Sequence, residues 1–182
     1  GHLCPIFVLN IFLKCGHNID FIIGDFTAKI GDPSGRNTER ALITDEQIAA
    51  NLATYTEQIA PYIDIKKLKI HKNSQWLAKT SLAEFLSVLQ RIKLAVATQR
   101  EDFRNRIENV SLAEVNYAVL MGLDSVNLKS DVELGGVDQL LNFGQCRLVQ
   151  EIYQQKPEIA FGTPILEGLS GDGRKMSKSF NN

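Results

Sequence analysis

Residues 19–36 read IDFIIGDFTAKIGDPSGR. The opening run is short, apolar and bounded by turn residues, so it reads as a buried strand over residues 19–26. The segment Gly31-Asp32-Pro33-Ser34-Gly35-Arg36 that follows is a tight polar loop. A buried strand that empties into such a loop is half of a βα unit, and the rest of the chain keeps up the alternation. Ahead of it, residues 3–15 (LCPIFVLNIFLKC) are apolar almost all round and predict a buried helix, with Pro5 in its first turn and Gly16 as its C-cap. Behind it, Thr44 with Gln47, Ser81 with Glu84 and Ser111 with Glu114 carry the capping-box spacing and open three helices, the first expected to run to about Ala60. Residues 67–71, 131–134 and 161–166 are further strand candidates, and the charged stretch 97–109 reads as an excursion from the core. Asp138 is placed to cap a helix reaching about Gln154, with Leu141, Leu148 and Ile152 on or near one face. Alternating strands and helices argue for a parallel α/β sheet, which binds ligands at the carboxyl ends of its strands.

The composition fits one globular unit. The chain has 182 residues, 44% of them hydrophobic, and 20 basic against 21 acidic side chains for a net charge of −1. That balance excludes a wholesale basic coat for nucleic acid, though not a local patch. No apolar run reaches the roughly 20 residues that span a bilayer. Three cysteines without a CxxC pair argue against a disulfide framework or a zinc ribbon and suit a reduced, cytoplasmic setting. No metal site built from protein side chains is expected. The first residue is Gly1 and the last two follow a Lys/Ser-rich loop, so the chain reads as a fragment.

The chemistry gathers at the loops. Arg174-Lys175-Met176-Ser177-Lys178-Ser179 places two lysines three apart among serines, after Gly168, Gly171 and Gly173. Such a loop can wrap a polyphosphate with mobile point charges, or it can be a solvated tail. It is not a Walker A loop, because Arg174 and Met176 stand where Lys and Ser/Thr belong. Gly1-His2 opens the first helix, where free amides and a ring N–H could face a phosphate, or simply cap the helix. Asp32 reads as a turn former or as a carboxylate for a cationic group. Asp138 reads as a cap or as a ligand for ribose hydroxyls, and Gly135-Gly136 beside it would let a flat ring approach the backbone.

In this order the motifs resemble those of a known family. KMSKS at residues 175–179 is the signature of class I aminoacyl-tRNA synthetases, and Gly1-His2 resembles the second half of their His-x-Gly-His motif. The stretches IGDFTAKIGDPSGR at 23–36 and ELGGVDQLLN at 133–142 are similar to the tyrosyl-tRNA synthetase family. The resemblance implies an incomplete Rossmann-like catalytic core over residues 1–182, with a helical connective and dimerisation insertion at about 81–123 and a tRNA-binding domain beyond the chain. It implies a tyrosine–tRNA ligase. Tyrosine attacks MgATP to give tyrosyl-adenylate and pyrophosphate, and the tyrosyl group passes to the 3′ end of tRNA(Tyr). His2, Lys175 and Lys178 match the groups that stabilise the transition state. Gly1, His2, Gly135, Gly136, Asp138, Lys175, Met176, Ser177 and Lys178 match the ATP contacts. Asp32 matches the carboxylate for the substrate ammonium, with Tyr117 on the same side. Asp124 matches the acceptor of the substrate phenol, and Gln139 a further polar contact. A homodimer is implied, and Arg91, Lys93, Arg100, Arg104 and Arg106 are candidate contacts to the tRNA acceptor stem or simply a charged face.

Two positions depart from the family pattern. Met121 stands where the family has Gln, and a thioether cannot accept from an ammonium as an amide oxygen does. Leu123 replaces an aromatic before Asp124. Met121 is the motive for an alternative reading, a paralogue that adenylates a different amino acid or uses an acceptor other than tRNA. A catalytically dead binding relative is a third, opposed by Lys175, Lys178, Asp32 and Asp138.

Overall fold

The computed structural model describes residues 3–31, 44–99, 101–105, 107–171 and 173–176. Helix α1 (Leu3–Lys14) is closed by Gly16 at φ 85°, with the Gly16 N–H donating to the Leu13 carbonyl and the His17 N–H to the Phe12 carbonyl. This is the left-handed closure that glycine permits without a Cβ clash. The expected all-round burial is not found. Only Ile6 is buried, and Phe7 and Ile11 are more than half exposed. The helix lays one side, through Ile6, Leu9 and Leu13, on a small core of Ile19, Ile59, Ile63 and Leu68.

Strand β1 (Ile19–Ile23) is shorter than its apolar pattern. Asp25 ends it, because its carboxylate accepts the Phe26 N–H together with the Ser74 N–H and hydroxyl, which folds the chain into a 3₁₀ turn at Thr27–Lys29. The long helix expected from Thr44 is two helices, α2 (Asp45–Ala53) and α3 (Tyr55–Ile59). They part at Thr54, whose hydroxyl donates back to the Asn51 carbonyl. Strand β2 (Leu68–Lys72) pairs in parallel with β1, Ile19 opposite Leu68, and His71 meets Asp20 at 2.7 Å across the pair.

The short helices α4 (Ser74–Leu77), α5 (Leu82–Leu89), α6 (Leu94–Ala97) and α7 (Glu101–Asn105) lead to the long α8 (Leu112–Leu128). The stretch read as a charged excursion is anchored, since Phe103 is only 2% exposed. Ser111 opens α8 with a full capping box to Glu114. Strand β3 (Val132–Gly136), helix α9 (Leu140–Ile152) and strand β4 (Ile159–Thr163) complete the described elements, and β3 and β4 pair in parallel. Both strand pairs are parallel with helices in the crossovers, the Rossmann-like α/β arrangement. Among the described residues they form two separate two-stranded sheets. A groove of about 1470 Å³ lies between them, lined by residues of α1, β1, β3 and the segment after β4.

Helices α8 and α9 form the main core with Leu77, Val88, Val119, Leu123, Val126 and Val149. The inner face of α9 is Asn142, Phe143, Gln145, Cys146, Val149 and Gln150, whereas Leu141 is 42% exposed. Hydropathy misassigns this face because Gln150 is buried on it with partners: it accepts from the Glu158 N–H and donates to the Ser130 carbonyl. The two helices touch at Gly122, where a Cβ would stand 2.7 Å from Val149 Cβ. Gly122→Ala therefore forces them apart, and chemical denaturation is expected to show a loss of about 1–3 kcal/mol.

Candidate active site

Two clusters meet the sequence-derived candidates. The first lies at the end of β3. Gly136 passes into a 3₁₀ turn, Val137–Gln139, which carries Asp138 before α9 begins. Asp138 does not cap that helix. Gln139 holds the N-cap position without a side-chain bond, and its amide oxygen instead accepts from Asn142 Nδ2 at 2.8 Å. The two glycines are required by the protein's own side chains. A Cβ on Gly136 would stand 2.4 Å from Asp138 Oδ1, and one on Gly135 2.7 Å from Phe143 Cζ. The expected open approach over this backbone is thus partly filled from within.

The loop after β4 folds back over the same place. Glu167 and Lys175 form an antiparallel bridge, with the Gly168 N–H donating to the Arg174 carbonyl and the Met176 N–H to the Leu166 carbonyl, both at 2.8 Å. Gly171 and Gly173 each stand at φ 71°, a backbone conformation that glycine adopts without a Cβ clash. The return strand delivers Lys175 Nζ to 2.5 Å from Asp138 Oδ2, although 37 residues separate them. An ammonium and a carboxylate that can change partners now share the mouth of the groove, whose lining includes Gly135, Gly136, Asp138, Gln139, Lys175 and Met176.

The second cluster surrounds Asp124 on α8, which is 6% exposed. Trp76 Nε1 donates to Oδ1 at 2.7 Å and Asn73 Nδ2 to Oδ2 at 3.2 Å. Asn73 is fully buried, donates also to Thr27 Oγ1, and accepts the Phe26 N–H. It thereby ties the turn after β1 to α8. Burial pushes the Asp124 carboxyl up to about 6; the Trp76 and Asn73 bonds oppose this and the nearby Asp25 charge adds to it. At neutral pH Asp124 is a carboxylate with two fixed donors and room in its lone pairs for one more.

Tyr117 lies on α8 two turns before Asp124, and both it and Met121 are half-buried. Leu123 is 1% exposed in the α8–α9 core, so the departure there is a packing residue. Asn73 and Trp76 are the site residues that the sequence reading missed. The available signal was the chain's single tryptophan, three residues after an asparagine that ends a strand. Gly1, His2, Asp32, Ser177 and Lys178 lie outside the described residues.

Comparison with known proteins gives the family of the chain. The family model described as "tRNA synthetases class I (W and Y)" matches residues 1–182. The chain is 43% identical over 185 aligned positions to a tyrosine–tRNA ligase of Idiomarina loihiensis, covering 100% of this chain and 46% of that protein. It is 45% identical to tyrosine–tRNA ligase 2 of Photorhabdus laumondii, with the same coverage. It thus spans about half the length of the curated relatives it matches. Among solved structures it is similar to a tyrosyl-tRNA synthetase complexed with L-tyrosine from Archaeoglobus fulgidus, at TM-score 0.77 and 25% identity over 100% of this chain and 54% of that one. A truncated mitochondrial tyrosyl-tRNA synthetase from Aspergillus nidulans shares the fold at TM-score 0.75 and 24% identity, over 99% of this chain and 60% of that one.

Proposed function

Since the chain belongs to the class I tRNA synthetases of the W and Y group, we propose that it forms the activating core of a tyrosine–tRNA ligase. The protein joins tyrosine to the α-phosphate of ATP, releases pyrophosphate, and passes the tyrosyl group to tRNA(Tyr). The observation that carries this reading is the contact between Lys175 and Asp138. It brings Lys175, the first residue of the signature motif, onto the Gly135–Asp138 segment, where ribose and phosphates of one nucleotide would fall within reach of both.

The chemistry asks little covalent help from the protein. In-line positioning and positive charge aimed at the phosphates do most of it. Lys175 supplies one such charge and, with nucleotide bound, exchanges the Asp138 carboxylate for phosphate oxygens. Asp138 then accepts from ribose hydroxyls. His2 and Lys178 add further positive charge and hydrogen bonds, and magnesium enters with the nucleotide as part of the substrate. Asp124 accepts the substrate phenol, while Asp32, Tyr117 and Gln139 serve the polar groups of the amino acid beside Met121. Phenylalanine is rejected because it would leave the desolvated Asp124 site one donor short.

The helical segment at about 81–123 joins two copies. Leu82, Leu86, Leu94, Ile107 and Leu112 are exposed there, between 47% and 78%, and a second copy would cover them. The three cysteines are free, which suits a cytoplasmic enzyme. No described helix is long and apolar enough to cross a membrane.

ATP–pyrophosphate exchange by the full-length protein, run across the amino acids, tests the proposal. Tyrosine alone is expected to support exchange. Exchange with another amino acid and not with tyrosine would transfer the reading to a paralogue whose pocket has changed at Met121.

A further inference from the structure

In the wall of the same groove lies a group of acids and hydroxyls, Glu133, Ser125 and Ser130 with the enclosed Glu158, that the proposed reaction does not use. Glu158, just before β4, is fully enclosed, and so is Cys146 on α9. A carboxyl oxygen of Glu133 on β3, one of Glu158 and the Cys146 sulfur all lie within 4.8 Å of one another. The Ser125 hydroxyl, at the end of α8, is 3.3 Å from Glu158 Oε1 and 3.5 Å from Glu133 Oε2. The Ser130 hydroxyl, in the turn between α8 and β3, donates to Glu158 Oε2. The backbone of Glu158 is held as firmly, its N–H by Gln150 Oε1 at 2.7 Å and its carbonyl by the Arg147 guanidinium.

We propose that Glu133 and Glu158 are positioning residues for the site, sharing one proton that Glu133 donates to the Glu158 carboxylate. Glu158 is fully enclosed and Glu133 half-buried on the groove wall, and two carboxylates this close repel strongly enough that one of them keeps its proton. Glu133 is the one that does. Burial, the hydrogen bond to Glu158 and the charge of Glu158 all push its carboxyl well above the usual range; the Cys146 thiol opposes them weakly and the Asp124 charge adds to them. Glu158 then accepts from three hydroxyls, those of Ser125, Ser130 and Glu133.

The groups facing the pair are few. Helix α8 contributes Ser125 and, further off, Asp124. Helix α9 contributes Cys146, whose thiol stays neutral because burial raises it, and Arg147 on the backbone side. In the turn, Ser130 faces inward while Lys129 and Asp131 are exposed. The shared proton thus cross-links β3, α8, α9 and the lead into β4. Glu133 stands two residues before Gly135, so the bond fixes the start of the segment that presents Asp138. Only this last consequence rests on the nucleotide reading.

The sign of the pH effect follows. A carboxyl raised on folding contributes stability that is greatest below its ordinary value of 4.5 and is lost as pH rises toward the folded value. Asp124 behaves alike, but its folded value of about 6 puts the end of its titration at about pH 8. A fall of stability above about pH 8 is therefore the mark of Glu133.

The test uses the full-length protein. At neutral pH its infrared spectrum is expected to hold the carbonyl band of a protonated carboxyl, absent in Glu133→Gln. Its melting temperature is expected to drop by about 3 °C or more between about pH 8 and about pH 9, with Glu133→Gln nearly flat across that range. Pyrophosphate exchange should show the same contrast, an alkaline fall in the wild type that the variant lacks. Should Glu133→Gln not fold, Glu158→Gln gives a second test, because Glu133 should then ionise closer to its ordinary range. A wild-type spectrum without the protonated band overturns the proposal, as does an alkaline slope that survives in Glu133→Gln. A rise in melting temperature on adding zinc, with loss of the band, also overturns it by making the cluster a metal site. If the wild type exchanges no pyrophosphate, the ligase reading fails, while the band and the melting profile still decide the acid pair.

Discussion

Lys175→Ala lowers tyrosine-dependent pyrophosphate exchange about 10²–10³-fold, the usual loss when one preorganised charge is removed from a developing anion. Equilibrium dialysis of tyrosine alone should show no change. The reason lies in where the lysine rests. In the structure its ammonium is on Asp138 at 2.5 Å, so a substitution removes two things at once, the partner of Asp138 and a charge for the phosphates. These separate kinetically. If Lys175 only steadied Asp138, the variant would raise KM for ATP and leave kcat intact. If it serves the transition state, kcat falls. Lys175→Arg should recover part of the rate, since the charge is kept while the flexible point charge becomes a planar fork. An unchanged kcat in Lys175→Ala would remove the central support of the ligase proposal.

Asp124→Asn is expected to weaken tyrosine binding about 10–100-fold and to erase most of the preference for tyrosine over phenylalanine. The figure corresponds to about 1.5–3 kcal/mol for a hydrogen bond to a charged acceptor. Binding of each amino acid by isothermal titration checks it. The same variant should change the pH dependence of stability. Asp124 rises on folding from 3.8 to about 6, so its ionisation in the folded protein costs about 3 kcal/mol of stability as pH climbs through that window. The slope should lessen by this share in Asp124→Asn, leaving the part that Glu133 contributes. Tyrosine affinity of the wild type should fall as pH drops below about 6, where the acceptor gains a proton, and should stay level in the variant. The absolute stability of the variant is a poorer guide. An amide at this position would turn one N–H₂ toward Asn73, whose own oxygen is engaged by the Phe26 N–H.

Lys175 was legible as a single residue because it stands in a short motif of unusual composition, and Asp124 was legible through the family resemblance of its helix. The helix starts at Thr44, Ser81 and Ser111 were legible because a capping box closes its bonds within four residues. Asn73 and Trp76 were not, because an asparagine after a strand looks like any turn residue until the helix it serves is in place. The face of α9 was misread at Leu141, because the buried side carries Gln150, whose hydrogen bonds to Glu158 and Ser130 outweigh hydropathy. The apolar α1 was read as buried because composition gives no account of how many neighbours a helix has.

The order of residues by itself determined the parallel α/β class and the helix starts at Thr44, Ser81 and Ser111, because each depends on periodicity or on bonds that close within a turn. The tertiary structure alone decided that Asp138 meets Lys175 rather than capping a helix, that Asp124 is held by Asn73 and Trp76, and that Glu133 lies against Glu158. Those contacts join residues 25 to 51 positions apart. No local pattern encodes them, since what brings such groups together is the packing of whole strands and helices, and burial then sets their charge.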